Sequence, residues 1–335
     1  MSGLAFGIFG RSGLPPTAVG EVAARAEALG YAGAVVTETW SDVFPYAIAC
    51  ARATRRLHVS TAIANMGFRH PALMAYSAAE TDELAGGRFS VGIGIGTQWF
   101  TAGAADAQRA RPLRAVREYV EAMRTVWRGE GSYAGEIFRL DGVGADIRPT
   151  RPVPVFFAAL NPGMCRLAGA LADGVYLGAL IPLDRIPEAV GWVAEGAQAA
   201  GRPPGAVTIA SMVRVCVDDD ETRGRAGARQ SIPLYLTFDG YARYVTSIGY
   251  GTVVSAVREA LRRGDETAAA RQVPDELVTR THVFGPVARC RARVAEYVQA
   301  GVQRPVILPR PAPGRGWPET LERTMAAVAP GGDLP

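Results

Sequence analysis

The chain has 335 residues, of which 48% are hydrophobic and 20% charged, as in a globular protein that buries a sizeable core. All 36 basic residues are arginine, which excludes enzymes that need a lysine amine: Schiff-base aldolases, pyridoxal-phosphate enzymes and nucleotide hydrolases with a phosphate-loop lysine. The net charge is only +4 and the arginines are scattered, so we expect no nucleic-acid partner.

Short apolar or β-branched runs alternate with longer segments of helical period from the N-terminus onward. Helical segments are predicted at residues 17–30 and 44–56, near Pro71, and at 111–128, with a strand between each pair. Eight strands in a chain of this length favour a single α/β domain, a closed parallel (β/α)8 TIM barrel, over a doubly wound open sheet. The predicted strands are residues 4–9, 34–37, 57–65, 89–95, 153–159, 174–178, 207–217 and 305–308.

Two stretches do not fit the repeat of strand and helix. Residues 129–152, after the fourth strand and its helix, are rich in glycine and turn residues, and residues 218–286, after the seventh strand, are too long for one loop. We interpret both as insertions into one domain that spans residues 1–335. Because the loops that follow barrel strands form the active-site face, we expect the second insertion to cover the pocket.

Cysteine and histidine usage gives no metal signature. The four cysteines form no Cys-x-x-Cys pair, and the three histidines are too dispersed for a recognisable metal motif, so we predict a reducing compartment and no metal site. The sequence shows no secretion signal and no apolar run of roughly 20 residues. We therefore expect a cytoplasmic protein that has no membrane partner.

The second predicted strand ends in Thr37-Glu38-Thr39-Trp40. This sequence places a carboxylate, a hydroxyl and an indole where barrel enzymes carry their working groups, and it favours a functional role for Glu38. The alternative is a helix-capping Glu38 beside a core Trp40.

Two further segments have both a functional and a structural explanation. Residues 158–165, Ala-Ala-Leu-Asn-Pro-Gly-Met-Cys, lead from the fifth strand into a helix whose amides could hold a phosphate, or they form an ordinary turn. Gly92, Gly94 and Gly96 alternate along the fourth strand, where they admit either a flat heterocycle or another protein surface.

Taken together, these segments resemble the luciferase-like monooxygenase superfamily. The resemblance is carried by Arg69-His70-Pro71, by Asp82-Glu83-Leu84-Ala85-Gly86-Gly87-Arg88-Phe89 with the glycines that follow it, and by later segments such as Ala168–Val175 and 294–302. Within the superfamily the chain is most similar to the deazaflavin branch, which includes methylenetetrahydromethanopterin reductase and uses coenzyme F420. The flavin-dependent branch shares the Arg-His-Pro and Gly-Gly-Arg motifs.

The resemblance implies a barrel whose mouth holds a deazaflavin or flavin ring, with a non-prolyl cis peptide behind the ring. In this sequence the corresponding bond is Ala62–Ile63. The resemblance also implies a set of cofactor contacts at the ring, at the phosphate of the tail and at the end of the sixth strand. These residues are Glu38, Thr39, Ala62, Ile63, Ala64, Asn65 and Thr97, then Ala158, Ala159, Leu160, Asn161, Gly163, Met164 and Cys165, and finally Gly178.

Two departures from the family bear on catalysis. Thr39 stands where many deazaflavin relatives have histidine, and Thr97 stands where others have an acidic residue. Glu38 is the remaining carboxylate, so we predict that Glu38, directly or through Thr39 or a water molecule, donates a proton after hydride reaches a C=N or C=C bond. Hydride chemistry itself would come from the cofactor.

The alternatives are an FMN-dependent monooxygenase with a partner reductase, and a non-catalytic barrel that binds a ligand. The resemblance also implies a homodimer. The substrate is expected to be a small molecule of unknown identity. Five aromatic residues in the long insertion either line its pocket or belong to the core: Tyr235, Phe238, Tyr241, Tyr244 and Tyr250.

Overall fold

A computed structural model gives the fold of residues 3–8, 12–39, 41–96, 108, 110–144, 146 and 148–331. Trp40 and the predicted cofactor contact Thr97 lie outside the described residues.

Eight parallel strands close into a barrel, in the order β1, β2, β3, β5, β8, β9, β10, β12 and back to β1. This confirms the predicted TIM barrel. The short β4 continues β3, β11 pairs with β10 outside the ring, and β6 and β7 form an antiparallel hairpin. The strands are β1 Ala5–Ile8, β2 Gly33–Val36, β3 His58–Thr61, β4 Ala64–Asn65, β5 Phe89–Gly94, β6 Tyr133–Ala134, β7 Arg139–Leu140, β8 Val155–Ala159, β9 Gly174–Leu177, β10 Thr208–Val217, β11 Val283–Gly285 and β12 Arg304–Pro309.

Helices surround the barrel. Several begin with proline in the first turn, where its missing N–H and fixed φ angle are favourable, as at Pro71 and Pro162. The helices are α1 Pro16–Ala28, α2 Val43–Ala53, α3 Pro71–Leu84, α4 Pro112–Arg128, α5 Pro162–Leu171, α6 Ile186–Ala199, α7 Glu221–Gln230, α8 Ile232–Leu236, α9 Asp239–Val245, α10 Gly251–Arg262, α11 Glu266–Arg271, α12 Asp275–Thr281, α13 Val287–Gln299 and α14 Trp317–Ala327, with single turns at Met66–Phe68, Leu183–Arg185 and Thr246–Tyr250. In the described part of the chain no helix is long and apolar enough to cross a bilayer.

The two irregular stretches have different structures. Residues 129–152 follow α4 and contain the β6–β7 hairpin, which Glu118 of α4 holds by accepting hydrogen bonds from the amides of Ile137 and Phe138. Residues 218–286 follow β10 and contain α7 to α12 together with β11.

Side chains fill the lower part of the barrel. Phe156 and Tyr176 pack with Ala5 and Val306 in the interior, and the hydroxyl of Tyr176 donates a 2.8 Å hydrogen bond to Ser60. Since the strands are buried on both faces, strands such as β1, β2 and β9 are apolar along their whole length. The space that remains open lies at the carboxyl ends of the strands.

Candidate active site

A bulge interrupts β3 at the barrel mouth. β3 pairs with β5 through Ser60 and Ser90, and pairing resumes at Ala64 and Ile93, so three residues of one strand lie opposite two of the other. Within the bulge the peptide bond Ala62–Ile63 is cis, as the family resemblance predicted.

Gly92 in β5 and Gly96, two residues after the end of β5, make room for this bulge. A β-carbon on Gly92 would lie 2.0 Å from the carbonyl oxygen of Thr61, and one on Gly96, whose φ is +75°, would lie 2.2 Å from Oδ1 of Asn65. The hydroxyl of Thr61 also bonds the amide and carbonyl of Gly92, both at 2.9 Å. Of the two explanations that the sequence left open, the close approach of another protein surface therefore applies at Gly92, and that surface is the neighbouring strand β3.

A cavity of about 1860 Å³ opens above the bulge. It brings together most of the cofactor contacts that the sequence predicted, but Ala64, Ala159 and Cys165 have their side chains in the hydrophobic core. If these three residues contact a cofactor, they do so through their backbone. The predicted residues that line the cavity are Glu38, Thr39, Ala62, Ile63, Asn65, Ala158, Leu160, Asn161, Gly163, Met164 and Gly178.

The carboxylate of Glu38 is the centre of a hydrogen-bond network. Its Oε2 accepts from the amide of Asn65 at 2.7 Å, from Nδ2 of Asn65 at 2.9 Å and from Nη1 of Arg69 at 2.9 Å. Its Oε1 accepts from Nη2 of Arg69 at 2.6 Å and from the amide of Val43 at 3.2 Å. Five donors around one buried carboxylate fit its ionised form. The arrangement argues against the predicted role of Glu38 as a proton donor.

Arg69 is the partner of Glu38 in this network, and the sequence analysis did not single it out as a site residue. Burial opposes its charge, but hydrogen bonds and negative charge from Glu38 and Asp42 outweigh that cost and raise the pKa of its guanidinium group. The hydroxyl of Tyr119 donates to its carbonyl at 2.9 Å. The only sequence signal was the position of Arg69 in the Arg-His-Pro motif, since Glu38 lies 31 residues away.

The N-terminus of α5 provides an anion-binding geometry. Asn161 adopts extended backbone angles and makes no side-chain cap to this helix, and the first helical bond runs from the amide of Cys165 to the carbonyl of Asn161. The amides of Gly163 and Met164 therefore have no acceptor within the helix, and both residues line the cavity. Such a turn suits a phosphate or carboxylate group.

Residues 218–286 contribute one wall of the cavity. The ring of Tyr235 packs edge-on against Tyr241 at 4.9 Å and against Phe238 at 5.7 Å, and all three residues line the cavity. Tyr244 and Tyr250 are instead buried in the core. The five aromatic residues thus divide between the two explanations that the sequence left open.

Comparisons with known proteins place this chain in a family. The profile of the luciferase-like monooxygenase family matches residues 5–304. A Mycobacterium tuberculosis protein, provisionally named a coenzyme F420-dependent oxidoreductase, is 28% identical over 91% of this chain and 94% of its own length. The 5,10-methylenetetrahydromethanopterin reductase of Methanolobus tindarius is 27% identical over 86% of this chain and 89% of its own.

A solved structure shows the same architecture. The coenzyme F420-dependent tetrahydromethanopterin reductase of Methanopyrus kandleri superimposes with a TM-score of 0.78 at 19% identity, covering 98% of this chain and 97% of that one. Since the family profile covers most of the chain, from the first barrel strand β1 to the first residue of the last barrel strand β12, the chain belongs to the luciferase-like monooxygenase family.

Proposed function

We propose that this protein is an F420-dependent oxidoreductase that transfers hydride between the deazaflavin and a C=N or C=C bond of a small organic substrate. Two relatives whose names include F420 support this proposal over most of both chains: the Mycobacterium tuberculosis protein and the F420-dependent glucose-6-phosphate dehydrogenase of Kineococcus radiotolerans. When bound, coenzyme F420 would supply the hydride, and the protein would supply binding, orientation and electrostatics.

The lining of the cavity carries the proposal. It combines the apolar residues Ala62, Ile63 and Gly94 at the bulge with the uncapped N-terminus of α5. A planar heterocycle that carries a phosphorylated tail needs both features within one cavity. Residues Asn161, Gly163 and Met164 would hold the phosphate group.

The protein's own groups then have distinct roles. We propose that Glu38 is a positioning residue, because its carboxylate fixes Asn65 and Arg69 beside the bulge. Thr39 is half-buried in the cavity wall, where its hydroxyl is available to orient a substrate or a water molecule. The aromatic residues Tyr235 and Phe238 would exclude bulk water from the reacting groups.

Titration of the purified protein with oxidised F420 and, separately, with FMN tests the proposal, with cofactor fluorescence as the readout. We expect micromolar binding of F420. Binding of FMN alone would contradict the proposal and favour the monooxygenase with its partner reductase. Binding of neither cofactor would favour the non-catalytic barrel.

We also propose that the protein is a homodimer. Leu73 and Leu84, 51% and 43% exposed, lie on α3, and Phe68, 47% exposed, precedes that helix. Apolar side chains grouped in this way are typical of an interface. Size-exclusion chromatography with light scattering should give a mass near twice the 35.4 kDa of one chain, and a mass near 35.4 kDa would contradict the proposal.

A further inference from the structure

Arg214 carries a buried positive charge that has no carboxylate partner among the described residues. It lies on β10 and is 0% exposed. Its Nη1 lies 3.4 Å from the hydroxyl oxygen of Ser231, whereas Nε and Nη2 have no hydrogen-bond partner among the described residues. A buried guanidinium group that lacks hydrogen-bond and charge partners is unfavourable for folding.

The groups around Arg214 do not neutralise it. Its guanidinium group lies 3.7 Å from the ring centroid of Tyr235, an arrangement that stabilises a cation without removing its charge. Ser231 also bonds Nε2 of His282 at 2.7 Å. Burial, followed by the charges of Arg214 and Arg310, holds the pKa of His282 well below its usual range, so this imidazole is neutral.

This positive region forms part of the cavity wall. Ser231, Tyr235 and Arg310 line the cavity, and Arg214 lies directly behind Ser231 and Tyr235. Arg214 pairs in register with Leu308 of β12, which lines the same cavity. The region therefore lies near the ends of β10 and β12. The proposed phosphate-binding turn of α5 follows β8, and β9 separates β8 from β10 in the barrel.

Two of the three carboxylates in the described lining of the cavity are paired with other arginines. Glu38 is paired with Arg69, and Asp239 is paired with Arg258 at 2.8 Å. Glu266 is the remaining acidic residue of the described lining, and it lies in the first turn of α11. The positive charge of Arg214 is thus available to a ligand.

We propose that Arg214, Ser231, Tyr235 and Arg310, here called the arginine pole, bind an anionic group of the substrate, a carboxylate or a phosphate. A ligand anion would contact Ser231 and Arg310, and Arg214 would add its charge from behind them. The inference rests on the proposed function, because it places an anionic substrate in the cavity that holds the cofactor. It explains why an arginine with no carboxylate partner among the described residues is kept where an apolar side chain would be more stable.

The test uses inorganic phosphate and benzoate as probes, titrated calorimetrically into protein saturated with oxidised F420, so that the turn of α5 is already filled. We expect the wild-type protein to bind at least one probe. Arg214→Met should weaken that binding by about tenfold or more, and Arg214→Lys by less. Preference for benzoate or phosphate distinguishes a carboxylate substrate from a phosphorylated one.

Arg262→Met is the matched control, since Arg262 also lines the cavity but is exposed and paired with Glu259. It should change probe binding by less than about twofold. Thermal unfolding of the cofactor-free protein gives a second readout. Arg214→Met should keep or raise Tm because it removes an unpaired buried charge, whereas a purely structural role would lower it.

Two results would overturn the inference: no binding of either probe by the wild-type protein, or equal binding by Arg214→Met. If Arg214→Met does not fold, Ser231→Ala should also weaken probe binding, and unchanged binding by that variant would count against the arginine pole. Failure of F420 to bind would instead contradict the proposed function. In that case the same titrations on cofactor-free protein would still report on Arg214.

Discussion

Glu38 and Arg69 form a bidentate ion pair between the end of β2 and the turn before α3, with both nitrogen–oxygen distances between 2.6 and 2.9 Å. Their side chains are 2% and 8% exposed. The pair joins two neighbouring loops at the barrel mouth and fixes Asn65 at the end of the bulge.

Glu38→Gln should therefore destabilise the protein. The substitution leaves the charge of Arg69 buried without its main partner, and we expect a loss of about 3 kcal/mol in the free energy of unfolding, measured with urea. Asp42→Asn is the control on the same arginine, because Asp42 is 58% exposed and should cost less than about 1 kcal/mol. If Glu38→Gln kept full stability and only slowed turnover, the proton-donor role would be favoured again.

Gly92→Ala should be poorly tolerated. Its β-carbon would lie 2.0 Å from the carbonyl oxygen of Thr61, and backbone cannot move aside as a flexible side chain can. We expect a loss of about 3 kcal/mol or failure to fold, measured by chemical denaturation. Gly191→Ala in α6, where nothing lies within 4 Å, should instead stabilise the protein by about 0.5 to 1 kcal/mol. Equal effects of the two variants would contradict the close packing at the bulge.

Gly163→Asp should separate cofactor binding from stability. A carboxylate at the N-terminus of α5 would repel the phosphate group of the cofactor, so we expect F420 to bind about tenfold more weakly or worse in fluorescence titrations. The same charge favours the helix, so Tm of the free protein should not fall. Gly163→Ala adds the β-carbon without the charge and should change binding by less than about threefold. Identical affinities for the two variants would contradict the phosphate role of this turn.

Asp218 should make the protein sensitive to acid. Burial opposes its ionisation, but hydrogen bonds from Arg223, Arg315 and the amide of Asp220 lower the pKa of this carboxyl to about 2. A lowered pKa stabilises the folded protein above the ordinary value of 3.8, and the contribution is lost as pH falls from about 4 towards 2. The loss should be roughly 1–2 kcal/mol.

Urea unfolding at pH 5 and pH 3 measures this contribution. Asp218→Asn should lose stability at pH 5 and show a smaller decrease than the wild-type protein on going to pH 3. Asp219→Asn is the neighbouring control, because Asp219 is 77% exposed, and it should behave like the wild-type protein. If Asp218→Asn lost as much stability between pH 5 and pH 3 as the wild-type protein does, Asp218 would not be the source of the acid sensitivity.

The sequence predicted the barrel because local patterns carry that information. Apolar strands, prolines at helix starts and the spacing of elements are local features of the sequence. The cis bond at Ala62–Ile63 was predicted from the family resemblance. Ion pairs between segments that are distant in sequence leave no such local pattern. The fold was needed to find the partner of Glu38 and to show that Arg214 has no carboxylate partner among the described residues.

Other features escaped prediction for the same reason. Tyr241 and Tyr244 are only three residues apart on α9, yet one faces the cavity and the other the core, because the direction of a helix face depends on what packs against it. β11 is only three residues long and is defined by its pairing with β10. Its short sequence carries no distinctive signal.

The two walls of the cavity come from separate stretches of chain. The strand ends supply the bulge and the turn of α5, whereas Tyr235, Phe238 and Tyr241 belong to residues 218–286, which enter and leave at β10 and β11. Because the two walls come from separate stretches, one stretch can be exchanged without changing the other. Chimeras that exchange only this stretch between relatives would replace the proposed substrate-contacting wall and keep the strand ends and the α5 turn, where we propose that the cofactor binds.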